Sequence, residues 1–257
     1  MNKFLIFGGL FLLLAGGCQS KGKKADPNAL SVAVAANVQF AMKELGAQFE
    51  KETGIEVETI LGSSGKLAAQ IRQGAPYDLF ISADRKYPAY LFEEGKAAEP
   101  PKTYAYGTLV LWTLRDLDIS RGMDLLSDPA VHKIGLPNPQ TAPYGEQALR
   151  VLEYFGLADS LRSKLVFGES IAQANQYILS GVCEIGFTAQ SVVMAPELKG
   201  KGRWIGLDKN AYEPIAQGVV ITKYGLENHP EASRRFFDFL FSPQGKAIFE
   251  KFGYYSK

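Results

Sequence analysis

Four short segments run from an apolar stretch, through a small polar turn, into residues with helical spacing. They are Ala35-Ala36-Asn37, Gly62-Ser63-Ser64-Gly65, Ala142-Pro143-Tyr144-Gly145 and Gly168-Glu169-Ser170-Ile171. The first turn of a helix carries main-chain N–H groups without a partner in the helix and the positive end of its dipole, so it holds an anion without a charged side chain. None of the four turns contains lysine or arginine. Plentiful neutral donors suit a permanently dianionic oxyanion better than phosphate, whose remaining proton needs an acceptor. Asn37 and Ser64 are also good N-cap residues, and either one alone reads as the cap of its own helix. Four such starts in one chain favour an anion receptor. Tyr144 offers its main-chain N–H or its phenol, or else packs as a lid. Ile171 offers only its N–H and its bulk. Glu169 would repel an anion and reads as a solvated or supporting group.

Enzymatic chemistry fits the residues poorly. Ser63-Ser64-Gly65-Lys66 contains Ser-x-x-Lys, the acylating motif of penicillin-recognising enzymes, but neither Ser-Asp-Asn nor Lys-Thr-Gly occurs elsewhere. Gly62 to Lys66 is too short for a phosphate-binding P-loop and lacks the following Ser or Thr. His132 and His229 lie far apart without neighbouring cysteines or acidic pairs, which speaks against a metal centre. His132, beside Lys133, reads as a surface residue. Tyr254-Tyr255 resembles the paired tyrosines of iron-binding receptors, but at the carboxy terminus it reads as helix-end packing.

The elements that position these turns follow from periodicity. Leu30 to Ala35 alternates as a strand, and Val38, Met42, Leu45 and Phe49 then form a helical stripe that Gly54 ends. Ile55 to Leu61 is β-rich, Ser64 opens a helix with Leu67, Ala68 and Ile71 inward, and Asp78 to Ser82 is a strand. This β-α-β-α-β order predicts a parallel sheet covered by helices. A second set follows: strands at Thr108 to Thr113, Lys133 to Leu136, Leu165 to Phe167 and Val182 to Thr188, with helices at Gly145 to Phe155 and Ile171 to Leu179. Val219 to Thr222 and helices around 234–241 and 243–252 complete the chain. Extended segments near 104–110 and 214–221 join the two sets. The fold class is therefore α/β with two lobes, and small ligands bind in the cleft between such lobes.

The amino terminus reads as an export signal: Lys3, then a run of about 11 largely apolar residues from Phe4 to Leu14, too short to span a bilayer, then small residues up to Cys18. Leu14-Ala15-Gly16-Gly17-Cys18 resembles a bacterial lipobox, with Ala15 where leucine is usual, so Cys18 is the candidate for lipidation. The sequence thus divides into a signal peptide (1–17), the lipidated cysteine with a lysine-rich polar tether (18–28), a first lobe (29–106 plus 218–257) and a second lobe (107–217). Losing residues 1–17 removes only Lys3 and takes the formal charge from +1 to 0, a balance that argues against nucleic-acid partners. With Cys18 lipidated, Cys183 has no partner for a disulfide, and its apolar flanks predict a packed thiol in a buried strand.

Over nearly the whole mature chain the sequence resembles the molybdate-binding proteins of bacterial ABC transporters. The resemblance rests on Val34-Ala35-Ala36-Asn37-Val38 with Ala41-Met42, on Gly62-Ser63-Ser64, and on the specific run Gly74-Ala75-Pro76-Tyr77-Asp78-Leu79-Phe80-Ile81-Ser82-Ala83-Asp84. Asn138-Pro139 with Ala142-Pro143-Tyr144-Gly145, and Ser242-Pro243-Gln244-Gly245 leading to Phe252-Gly253-Tyr254, also match. It implies a type II periplasmic-binding-protein fold, each lobe a mainly parallel sheet flanked by helices, that closes on one tetrahedral dianion. It further implies ligand positions at Asn37 (with the N–H of Ala36), Ser64 (hydroxyl and backbone), Tyr144 and Ile171. Many members have serine at the position of Asn37, a third serine where Gly65 stands and alanine where Tyr144 stands. A later-strand tyrosine that some members use falls here on Ala189.

The expected function is therefore that of a non-enzymatic, exported lipoprotein, monomeric and lipid-anchored facing the periplasm or cell exterior. It would capture molybdate or tungstate without a cofactor and deliver it to an ABC permease with its cytoplasmic ATPase. A sulfate or other oxyanion receptor is the alternative. From another class, the same fold hosts porphobilinogen deaminase, with its cofactor on a cysteine. Cys183 would have to serve, and its apolar flanks and the export signal argue against it.

Overall fold

The computed structural model describes residues 29–256. The expected signal peptide, Cys18 and tether lie outside these residues. The first lobe begins with β1 (Ala29–Ala35), a single 3-10 turn over Ala36–Val38, α1 (Gln39–Thr53), β2 (Glu56–Gly62), α2 (Ser64–Arg72), β3 (Leu79–Ile81), α3 (Lys86–Glu93) and β4 (Lys102–Gly107). The chain then builds β5 (Leu109–Thr113), β6 (Ile134–Pro137), α4 (Pro143–Tyr154), β7 (Leu165–Gly168), α5 (Ile171–Leu179), β8 (Ile185–Ala189), α6 (Gln190–Val193) and β9 (Arg203–Gly206). It returns through β10 (Ile215–Ile221) and ends with α7 (Lys223–Asn228), α8 (Pro230–Leu240) and α9 (Pro243–Lys251).

Two five-stranded sheets result, ordered β2-β1-β3-β10-β4 and β7-β6-β8-β5-β9. The sheets are mixed rather than mainly parallel. β1 is parallel to β2 and β3, and β6 to β7 and β8, but β10 and β5 run antiparallel to both of their neighbours. The reason is topological: β10 and β5 enter their sheets directly from the other lobe, without the crossover helix that a parallel connection requires. The segments read as connectors near 104–110 and 214–221 thus contain β4, β5 and β10. Ile215 pairs with Gly107, so the return strand already belongs to the first sheet ahead of residue 218.

Strand alternation sets the layers. In the first sheet Ala33, Phe80 and Val220 face Leu67, Ile71 and Leu91 of α2 and α3. Val32, Val34, Leu79, Ile81 and Val219 face the other way, into a core that continues through the second lobe. There Phe49 of α1 meets Phe236 edge-on, with ring centroids 4.9 Å apart. Gly54 ends α1 in the left-handed region (φ 72°), a conformation that favours glycine. Cys183 is buried as expected, but in the bend ahead of β8 rather than in the strand, and burial pushes its thiol up to about 11.

Candidate functional site

The carboxyl ends of four strands converge. Ala35 and Gly62 are register partners where β1 and β2 finish, and Pro137 and Gly168 are register partners where β6 and β7 finish. Each pair launches two of the turns singled out above, so two turns come from each lobe. This is where open α/β sheets bind their ligands. Between the turns lies a small cavity, lined by Ala35, Ala36, Asn37, Gly62, Ser63, Ser64, Ala83, Ala142, Pro143, Tyr144 and Ile171. No lining residue is ionisable apart from the phenol of Tyr144. All five of the residues expected from sequence, Ala36, Asn37, Ser64, Tyr144 and Ile171, are on its wall.

Capping and lining are divided between neighbours. Ser63, not Ser64, caps α2, its hydroxyl accepting from the Lys66 N–H at 3.4 Å. Ser64 is the first helical residue, and its Oγ accepts from the Ala83 N–H at 3.0 Å. With that acceptor site filled, its hydrogen is free to point into the cavity. Ser170 likewise caps α5, leaving the N–H of Ile171 in the first turn. Pro143 opens α4, placing Tyr144 in its first turn.

Asn37 is anchored inward. Its Nδ2 donates to Gln217 Oε1 at 2.8 Å and to Tyr254 Oη at 3.1 Å. Its carbonyl accepts from Ser191 Oγ and from Tyr254 Oη, each at 2.9 Å. Its side-chain donors are thus committed to protein partners, and the group it has to offer a ligand is its main-chain N–H. Gln217 Oε1 also accepts from Tyr104 Oη at 2.8 Å, and Gln217 Nε2 donates to Tyr144 Oη at 3.3 Å. Burial pushes the Tyr144 phenol well above its ordinary range, with Tyr254 and Tyr212 adding, against the amides of Gln217 and Asn37. It is therefore a protonated donor at any working pH. Gln217, Tyr104, Ser191 and Tyr254 have no place in the sequence reading of the site. The signal for Gln217 was a lone amide inside the apolar run Ile215–Ile221, which a buried strand carries only with partners for it.

The cavity is shut by contacts between the lobes. Gly65 N donates to Thr141 O at 2.9 Å, Tyr87 Oη donates to Gln140 O at 3.1 Å, and Lys66 Nζ meets Glu169 Oε1 at 2.8 Å. Glu169 is therefore a partner of Lys66 at the mouth. A Cβ on Gly65 would lie 2.7 Å from Tyr87 Oη and 3.1 Å from Thr141 Cα, so the third serine of the related pattern has no room here. Among the described residues no group of three or more His, Cys, Asp or Glu is arranged to hold a metal ion. His132 is exposed, while His229 Nδ1 lies 2.8 Å from Asp78 Oδ1, away from the cavity wall.

Comparison with known proteins bears on this geometry. The family model described as bacterial extracellular solute-binding protein matches residues 30–255. The molybdate-binding protein ModA of Azotobacter vinelandii is 38% identical over 245 residues, covering 95% of this chain and 96% of that protein. The ModA protein of Rhodobacter capsulatus is 38% identical over 224 residues, 86% of each chain. The solved structure of the Azotobacter vinelandii periplasmic molybdate-binding protein superposes with a TM-score of 0.84 at 36% identity, covering 89% of this chain and 99% of that one.

Proposed function

The chain belongs to the bacterial extracellular solute-binding protein family, and from that premise we propose that it captures molybdate, or the nearly isosteric tungstate, and hands it to an ABC importer. The observation that carries this reading is the small cavity at four helix starts, two from each lobe, without a charged side chain on its wall. A tetrahedral dianion fits such a site because every oxygen can accept from neutral donors and from dipole ends, while water is excluded and each bond is correspondingly stronger. The relatives named above bind molybdate, which supports that choice of dianion.

The roles divide by atom. Ala36 and Asn37 offer main-chain N–H groups from the first lobe, and Ser64 its hydroxyl and N–H. Tyr144 offers its phenol and N–H from the second lobe, and Ile171 its N–H. No bond is made or broken. An anion held from both sides at once stabilises the closed arrangement over the open one, and closure is the signal a permease reads.

Members of this family work outside the cytoplasm. Cys18 is the residue for a lipid anchor, and the segment from 19 to 28 the tether that lets a monomer reach its permease. Calorimetric titration of the purified protein with molybdate, tungstate, sulfate and phosphate tests the function. Tight one-to-one binding of the first two supports it, and binding of none of the four overturns it. Mass measurement of the protein from its native envelope tests the anchor: a lipid mass on a chain beginning at Cys18 supports it, and an unmodified Cys18 overturns it.

A further inference from the structure

Gln217 does not itself line the cavity, yet it stands directly behind two residues that do, Asn37 and Tyr144. Its amide is buried in the middle of β10. Asn37 Nδ2 and Tyr104 Oη both donate to its Oε1, each at 2.8 Å. Two donors on that oxygen fix which end of the amide faces which way, and they turn Nε2 toward Tyr144 Oη. There is no slack in this arrangement, because a Cβ on Gly107 would lie 2.6 Å from Gln217 Nε2 and would collide with Tyr144 Oη.

A phenol has one hydrogen. With an N–H directed at its oxygen, Tyr144 must point that hydrogen elsewhere, and Tyr144 is a wall of the cavity. We propose that Gln217 is a positioning residue that sets anion selectivity: by donating to Tyr144 it makes this hydroxyl a donor toward the ligand and denies it the role of acceptor. The inference rests on the reading of the cavity as an oxyanion site. The Ala83 N–H fills one acceptor site of the Ser64 hydroxyl and leaves its hydrogen free for the ligand. The Tyr144 hydroxyl then joins the main-chain N–H groups beside it as a donor. A fully deprotonated dianion is satisfied by such a wall. Hydrogen phosphate brings a proton that finds no acceptor at Tyr144, and a buried donor without an acceptor is penalised more than an extra hydrogen bond is rewarded.

The test is the ratio of the dissociation constants for inorganic phosphate and molybdate, measured on purified protein at about pH 8. Gln217→Met keeps the volume and removes the donor, so Tyr144 can turn its lone pair to the ligand and the ratio falls about tenfold or more. Gln217→Glu takes the phenol hydrogen for itself, so its ratio falls further. In a Tyr144→Phe background no hydroxyl remains to be aimed, and Gln217→Met then leaves the ratio unchanged. A purely structural role would weaken both anions by the same factor. If Gln217 variants fail to fold, Tyr104→Phe removes one donor from Gln217 Oε1 and lowers the ratio by a smaller factor. Wild-type binding of molybdate with ratios unmoved in every variant overturns this inference alone. No molybdate binding by the wild type overturns the oxyanion site and this inference with it.

Discussion

The main-chain N–H of Gly65, in the first turn of α2, donates across the cleft to the carbonyl of Thr141 in the other lobe at 2.9 Å. The residue beside the proposed ligand group Ser64 is thus itself part of the closure, and capture and closure are joined in one turn. Gly65 makes this possible because a side chain there would meet Tyr87 Oη and Thr141 Cα.

Gly65→Ala is therefore expected to weaken the closed state specifically. Overpacking of this kind costs about 1–3 kcal/mol, which speeds molybdate release roughly 5- to 150-fold. Alanine is the better helix former, so thermal stability without anion does not fall. Tyr87→Phe removes the atom that Cβ meets first and restores part of the lost residence time. Stopped-flow release measurements on both variants check this, and a release rate equal to wild type in Gly65→Ala contradicts it.

Ser64→Ala removes a hydroxyl that accepts from Ala83 N and is proposed to donate to the anion. Loss of a hydrogen bond to a charged group weakens molybdate binding by about 1.5–3 kcal/mol, or about 10- to 150-fold in Kd. Unfolding stability drops as well, because the Ala83 N–H loses its partner. Unchanged affinity in the folded variant removes Ser64 from the site.

Lys66 and Glu169 meet at the mouth, each about half exposed. An exposed pair of this kind is worth roughly 0.2–1 kcal/mol. Lys66→Ala should accelerate release by no more than about fivefold, and the difference from wild type should shrink as salt screens the pair. A larger effect that persists at about 1 M salt contradicts the surface-pair account.

Much of the site could be read from sequence because its parts are local. A strand end, a cap and a first helical turn are set by a few adjacent residues, and these turns stand at Asn37, Ser64, Tyr144 and Ile171. What could not be read is long-range. Gln217 reaches Asn37 across a separation of 180 residues, and Tyr254 reaches it across 217. No periodicity records such a meeting. Tyr254 read as helix-end packing for the same reason: Phe249 and the chain end are nearby in sequence, while Asn37 and Ser191 are not. The antiparallel course of β5 and β10 escaped for a related reason, since strand direction follows from the path between lobes rather than from any residue in the strand.

Asp78 Oδ2 accepts from the Ser31 N–H at 2.7 Å, and its Oδ1 faces His229. Burial nevertheless outweighs these bonds and holds its carboxyl above the ordinary range. The folded chain then binds this proton more tightly than the unfolded one. The resulting contribution to stability is complete below the unfolded value and is lost as the pH rises through the folded value. The stability of wild type relative to Asp78→Asn should therefore decrease from about pH 4 to pH 7 in urea titrations. An increase over that range would mean that the bonds from Ser31 and His229 outweigh burial, and would contradict a raised carboxyl.

Tyr144 is the ionisable group on the cavity wall, and burial raises its phenol well above the usual value near 10. It stays a donor across neutral and mildly alkaline solution, so molybdate affinity should be flat between about pH 7 and pH 9. A tenfold loss over that range would place a titrating group in the site that the structure does not have.

The central claim is tested most directly by calorimetric titration of the purified protein with molybdate, sulfate and phosphate in turn. The account predicts tight one-to-one binding of molybdate, weaker binding of sulfate, whose shorter bonds reach the donors of both lobes less fully, and far weaker, still measurable binding of phosphate. Phosphate bound as tightly as molybdate would contradict a site that selects a fully deprotonated dianion.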